Sequence, residues 1–379
     1  MIKKFRRIIS SGTFIPEIDG LRFIAITSVF FYHLSEFLRV KDKNDYLINF
    51  NIDFLNEILS VGYFGVQLFF VISGYILSRP FANMYLNNGP KVKIKKYFLR
   101  RVTRLEPPYL LVMSLLLFAS VYIVEKLSLY DALFSYLCSI LYVHTFFYDV
   151  YPLLNGVAWS LEIEIQFYIL MPLLALVYKI RNKKNRRLFI LFLIVFTPIF
   201  NWIEIFDFIS ILKYIHYFLI GMLLVDYSFG EENNKRNIKH IALLSTISFI
   251  SIWIIEICIK YNRNYKIFFE IFQMVPIFFF YYFALIQKSV KFLKVPIITT
   301  IGGMCYTIYL IHYPLISAFG NPLMKINFSN YSVLNTFLYS IILTFICIAA
   351  SSLFFLFIER PCMDKDWIKK IFKKFRLGI

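Results

Sequence analysis

Charge is what this sequence has least of. Of its 379 residues only 17% are Asp, Glu, Lys or Arg, against 59% hydrophobic; a water-soluble domain has about a quarter charged residues. Acidic residues are scarcer still, 23 against 41 Lys and Arg. The five cysteines, Cys138, Cys258, Cys305, Cys347 and Cys362, show no C-x-x-C spacing, so neither a disulfide framework nor a metal site is indicated. No Gly/Ser/Pro-rich linker divides the chain. No internal repeat is visible, which argues against the two related halves from which many secondary transporters are built. A water-soluble enzyme and a disulfide-stapled secreted domain are both excluded.

Long apolar runs are abundant. Several reach about 20 residues, the length that crosses roughly 30 Å of hydrocarbon. The expected fold class is all-α, a polytopic transmembrane helical bundle of about ten spans. They are placed near 18–38, 60–79, 106–124, 157–178, 188–206, 208–226, 240–259, 267–287, 297–318 and 333–358. The net charge of +18 follows topology rather than nucleic acid. Segments 1–17, 79–105, 179–187, 235–239, 288–294 and 360–379 hold 31 of the 41 Lys and Arg. That bias predicts cytoplasmic N- and C-termini and makes anionic lipid headgroups the partners of the basic charge. The expected division is a basic N-terminus over 1–17, a transmembrane domain over 18–358 and a basic amphipathic tail over 359–379. No cleavable leader is expected, because the apolar run after "MIKKFRRIIS" is long and lacks an A-x-A site. Residues 131–147, "DALFSYLCSILYVHTFF", are short for a span and are expected to form a re-entrant or interfacial helix.

Polar residues inside these spans are costly unless a cavity or partner receives them. In "IDGLRFIAITSVFFYHLSEF" Arg22 and His33 are eleven residues apart, three turns of helix, so they share one face about 16 Å apart. Arg22 can instead snorkel to headgroups or pair with Asp19. Arg101 and Arg104, spaced i,i+3 ahead of Pro107, form a fork suited to phosphate oxygens; ordinary cytoplasmic positive charge explains the spacing as well. Glu162 and Glu164 differ by about 200° of helix and cannot share a face. Glu164 is expected deep enough to need a partner, a histidine by preference, whereas Glu162 is expected nearer the surface and solvated. His33, Glu164, His312 and Gln67 are expected at one depth near the outer surface. His144, His216 with Lys213, and His240 carry weaker signals and receive no catalytic role.

Together these landmarks resemble the acyltransferase 3 family of integral-membrane acyltransferases. "EIDGLRFIAITSVFFYH" is similar to its opening, with an arginine-x10-histidine motif at Arg22 and His33. "FGVQLFFVISGYIL" resembles its second-span segment, and "LRRVTRLEPPYLL" contains its R-x-x-R at Arg101 and Arg104. "WSLEIEIQFYILMPLL", "YTIYLIHYPLI" and "IERP" resemble its remaining landmarks, in order along almost the whole chain. Two positions depart: Gln67 stands where aspartate is frequent, and Ile165 replaces the second acid after Glu164.

The resemblance implies transfer of an acyl group, most often acetyl from acetyl-CoA, to a hydroxyl of an extracytoplasmic or lipid-linked carbohydrate. It places the protein in a bacterial inner (plasma) membrane, in the stand-alone form without an appended hydrolase-like domain. The expected catalytic residues are His33, Glu164 and Arg22. Arg101 and Arg104 are expected to bind the acyl-CoA donor, His312 and Gln67 the cell-envelope carbohydrate or glycolipid acceptor. Neither a metal nor nucleic acid is expected. A histidine serves either as base for the acceptor hydroxyl or as transient acyl carrier. The competing class is a transporter or flippase for anionic glycolipids or acyl metabolites.

Overall fold

The computed structural model describes residues 5–8, 14–41, 53–148, 151–202, 209–230, 240–364 and 367. No strand occurs among them. The main helices are α1 (Pro16–Lys41), α2 (Gly65–Leu86), α3 (Ile94–Phe118), α4 (Leu129–Ile140), α5 (Trp159–Leu174), α6 (Lys183–Trp202), α7 (Ile215–Gly230), α8 (Ile241–Tyr261), α9 (Lys266–Tyr281), α10 (Pro296–Gly303), α11 (Cys305–Leu323) and α12 (Ser332–Phe354). With their short extensions, seven of the described helices are long and apolar enough to cross a membrane. The protein is therefore a multi-pass helical bundle. Three further expected spans fall on α6, on the 16-residue α7 and on the α10–α11 pair, which is interrupted at Met304. The 235–239 segment and most of the 359–379 tail lie outside the described residues.

Apolar side chains occupy both faces of the bundle wall. The interior is built from residues such as Phe167, Phe218, Ile163 and Leu224, while Leu115, Phe192, Ile254, Phe345 and Phe357 point outward. An apolar exterior is what a lipid solvent allows. Small residues let the central helices approach. A Cβ on Gly74 of α2 would collide with the Phe218 backbone of α7, and one on Gly221 with the Val71 carbonyl. Phe218 stacks between Phe70 and Phe167 at 4.7 and 4.1 Å.

Three prolines explain otherwise odd cross-links. A proline inside a helix leaves the carbonyl four residues earlier without its N–H partner, and a buried carbonyl needs a donor. Pro172 frees the Tyr168 carbonyl, which accepts the Tyr97 hydroxyl at 3.2 Å. Pro314 frees the Leu310 carbonyl, which accepts Asn155 Nδ2 at 3.0 Å. Pro107 frees the Thr103 carbonyl, which accepts Trp367 Nε1 at 3.2 Å. Each bond ties together segments distant in sequence.

The 131–147 segment forms α4 and a short helix, His144–Phe147. At 12 residues α4 is about 18 Å long and cannot cross the hydrocarbon. It docks on α3, where the Tyr109 hydroxyl donates to the Ser139 carbonyl at 3.1 Å.

Candidate active site

Helices α1 and α11 run parallel, and their alignment builds the site. Asp19 meets Gly302 just before α11 begins, and a Cβ there would collide with the Asp19 carbonyl. Arg22 and Cys305 line one cavity. One end further along, His33 meets His312, with Nδ1 of the first 3.0 Å from Nε2 of the second.

The protonation pattern of this pair follows from its surroundings. His312 is fully buried, and its Nδ1 lies 2.8 Å from both the Ile308 and Tyr309 carbonyls. Carbonyls only accept, so Nδ1 carries the proton and Nε2 presents a lone pair. His33 Nδ1 must then donate to it. In the neutral pair this leaves Nε2 of His33 with a free lone pair. The His33 ring is only partly buried and stands among Tyr32 and Tyr313, with centroids at 5.1 and 5.3 Å. Both His312 nitrogens are taken, so the expected contact of His312 with a substrate has no free ring atom to make it.

Below the pair lies a cavity of about 120 Å³. Val29 and Tyr309, one turn before His33 and His312, line it together with Ser160; Arg22, Arg104 and Cys305 line it too, as do Ser73, Glu164 and Tyr168. Arg22 donates from Nη1 to Asp19 at 3.1 Å, so the pairing and the cavity position hold together. The fork on α3 divides. Arg104 enters the cavity and lies 3.9 Å from Glu359, whose other oxygen accepts the backbone N–H and hydroxyl of Thr307 at 3.2 and 2.5 Å. Arg101 lies flat over Tyr97 at 3.6 Å and donates to the Tyr97 carbonyl at 2.6 Å.

Three placements differ from the sequence expectation. Glu164 does not partner a histidine: its Oε1 accepts the Ser73 and Tyr168 hydroxyls at 2.7 and 2.6 Å, in the arginine cavity. Gln67 leaves the histidine layer as well. Gly65, two residues earlier, packs on the Ala25 carbonyl, two turns along α1 from His33. The Gln67 amide, oriented to satisfy its neighbours, donates to the Tyr63 and Phe64 carbonyls at 3.2 and 3.1 Å. Glu162 is buried rather than solvated. Its carboxylate accepts the Thr145 hydroxyl at 2.5 Å and backbone N–H at 3.3 Å, because the 144–147 helix folds over it.

Among the weaker candidates, His144 is buried and stacks on Tyr148 at 4.4 Å. His216 is buried against Tyr217, and His240 is exposed ahead of α8. Sequence reasoning passed over Ser73, Tyr306, Tyr309 and Glu359. Tyr168 was within reach of it, since it follows Glu164 by one helical turn.

The arrangement is a cavity with two arginines at one end that stops one turn short of an oriented imidazole. Comparison with known proteins supplies the class. The model of the acyltransferase 3 family, an acyltransferase domain, matches residues 15–356. The chain belongs to that family. It is 26% identical over 358 residues to the O-acetyltransferase OatA of Staphylococcus aureus (strain NCTC 8325), covering 83% of this chain and 53% of that one. OatA of strain COL matches to the same extent. Another protein of strain COL is 24% identical over 332 residues, 80% of this chain and 51% of the relative. The chain thus spans about half the length of these curated relatives. No solved structure matches it.

Proposed function

We propose that the protein is a membrane O-acyltransferase of the bacterial inner (plasma) membrane. It moves an acyl group, acetyl in the first instance, from cytoplasmic acyl-CoA to a hydroxyl of an extracytoplasmic or lipid-linked cell-envelope carbohydrate. In this reading the bundle makes ten spans with both termini in the cytoplasm. The Lys and Arg distribution supports that topology, as does the parallel course of α1 and α11, both odd-numbered spans. The observation that supports the reading is the cavity that reaches from Arg22 and Arg104 to the turn beneath an imidazole held in one tautomer.

The donor enters from the arginine end. Guanidiniums of Arg22 and Arg104 hold phosphate oxygens, with Arg101 stacked beside them. An extended pantetheine arm then spans the roughly 16 Å of α1 between Arg22 and His33 and brings the thioester carbonyl to the histidines. Glu164, fixed by Ser73 and Tyr168, balances the arginine charge inside the cavity.

His33 Nε2 takes the proton of the acceptor hydroxyl as its oxygen attacks the thioester carbonyl. The C–S bond breaks, the new ester C–O bond forms, and the CoA thiolate receives the proton from His33. His312 positions His33: its Nδ1 is committed to backbone carbonyls, so its Nε2 holds the His33 ring with the free lone pair outward. The Tyr32 and Tyr313 rings beside His33 offer faces for the carbohydrate.

Charge reversal tests the donor end. Arg104→Glu is expected to raise the KM for acetyl-CoA at least about tenfold, since a charge-assisted phosphate contact becomes a repulsion. Arg101→Glu follows in the same direction, and the acceptor KM stays near wild type in both. A change confined to the acceptor KM, measured by steady-state kinetics in proteoliposomes, would put the donor site on the wrong face.

A further inference from the structure

The N-terminal segment precedes the matched family domain, which begins at residue 15, yet it reaches the carboxylate that pairs with Arg22 of the cavity. Phe5 packs into the cluster of Ile26, Met304 and Phe355. Nε of Arg360 donates to the Arg6 carbonyl at 3.2 Å. Next to these anchors Arg7 turns inward. Its Nε lies 2.9 Å from Oδ1 and 3.1 Å from Oδ2 of Asp19, the carboxylate that also binds Arg22.

One carboxylate therefore serves two guanidiniums, with side chains only 14% and 13% exposed. The third guanidinium, Arg104, has Glu359 at 3.9 Å, and Thr307 already engages that acid. Within ion-pair distance these three cations meet two carboxylates, Asp19 and Glu359, while Glu164 of the same cavity is held by the Ser73 and Tyr168 hydroxyls; in a largely water-excluded place an incompletely paired charge is costly. Arg7 registers the crowding. Burial first, then repulsion by Arg22, outweigh the attraction of Asp19 and pull its pKa from 12.5 down to about 10, so it stays charged at neutral pH. Asp19 engages Arg7 through Nε, one of the five N–H donors of the guanidinium. An anion of more than one charge would complete the cluster.

We propose that Arg7 is a donor-binding residue that joins Arg22 and Arg104 in a three-guanidinium cradle for the phosphates of a CoA nucleotide. This rests on the acyl-CoA reading above. The segment that carries Arg7 is thus part of the donor site, although the family domain does not include it.

The test uses the full-length protein, wild type, Arg7→Gln and Arg7→Lys. Acetyl-CoA kinetics are measured in proteoliposomes and free-CoA binding by calorimetry in detergent. Arg7→Gln is expected to raise the donor KM and the CoA Kd about tenfold, the loss of one charge-assisted phosphate contact. The effect falls on KM rather than kcat, and acceptor KM and thermal midpoint stay near wild type. Arg7→Lys keeps the charge and the Asp19 pair but not the fork, so about a threefold rise is expected. If Arg7→Gln folds poorly, Arg7→Lys carries the test. Unchanged KM and Kd in the folded variant, or a fall in kcat and thermal midpoint alone, would overturn the assignment. Wild-type protein that neither binds CoA nor consumes acetyl-CoA would overturn the acyl-CoA reading itself; wild type that binds CoA beside an unaffected Arg7→Gln overturns only the role of Arg7.

Discussion

His33→Ala is expected to lower acyl transfer by about 10²–10⁴ while the protein still folds, the range for losing a positioned general base. The size follows from the geometry. His33 Nε2 is the one imidazole nitrogen of the pair left with a free lone pair, and His312 is closed off by the Ile308 and Tyr309 carbonyls. Glu164 cannot take over, since it is bound by Ser73 and Tyr168 in the arginine cavity, and Glu36, one turn beyond His33, is paired with Arg39. Folding survives because the variant leaves only His312 Nε2 without its donor, a cost of about 1–3 kcal/mol. Rates of acetyl-CoA consumption by purified, monodisperse wild-type and variant protein check it. Turnover within a few-fold of wild type would remove His33 from the mechanism and favour a conduit, which tolerates the loss of one imidazole.

The second large effect is structural. Gly302→Ala is expected to abolish the folded protein or lower its stability by at least about 3 kcal/mol, beyond ordinary overpacking in a core. A Cβ at Gly302 meets the Asp19 carbonyl and the backbone N of Phe23, rigid atoms of α1 that cannot rotate away. The same contact sets the parallel register that places Cys305 beside Arg22 and His312 beside His33. A variant that folded by shifting α11 would still lose the histidine contact. Thermal unfolding and size-exclusion profiles of Gly302→Ala measure this directly; a wild-type midpoint with full activity would show that the close approach is not needed.

How much of this was legible in the sequence depends on what each feature requires. The apolar runs and the Lys and Arg bias carry the helical class because both are local counts. Arg22 and His33 share a helix face by spacing alone, and span placement sets His312 at the depth of His33, where the two rings meet. Their direct contact was not readable, since it depends on the Gly302–Asp19 approach between helices far apart in sequence. Counting turns from assumed span ends misplaces Gln67 and Glu164. The second span is already packed against α1 at Gly62 and Gly65, so Gln67 begins deeper than counting allows. Glu162 reads as solvated in the sequence because no count of apolar residues reveals that 144–147 folds over it. Arg7 was hidden among basic residues that the topology alone explains.

The central claim is that an acyl group crosses from a CoA thioester on the arginine side to a hydroxyl on the histidine side. The direct measurement loads proteoliposomes containing the oriented wild-type protein with CoA labelled in its acetyl group on the side of the N-terminus. Cell-envelope glycolipids are supplied on the opposite side. The account predicts label in ester linkage to the glycolipid, with free CoA accumulating in step, and neither product with His33→Ala. Glycolipid that changes leaflet without gaining label, while acetyl-CoA stays intact, would contradict it and make the protein a transporter.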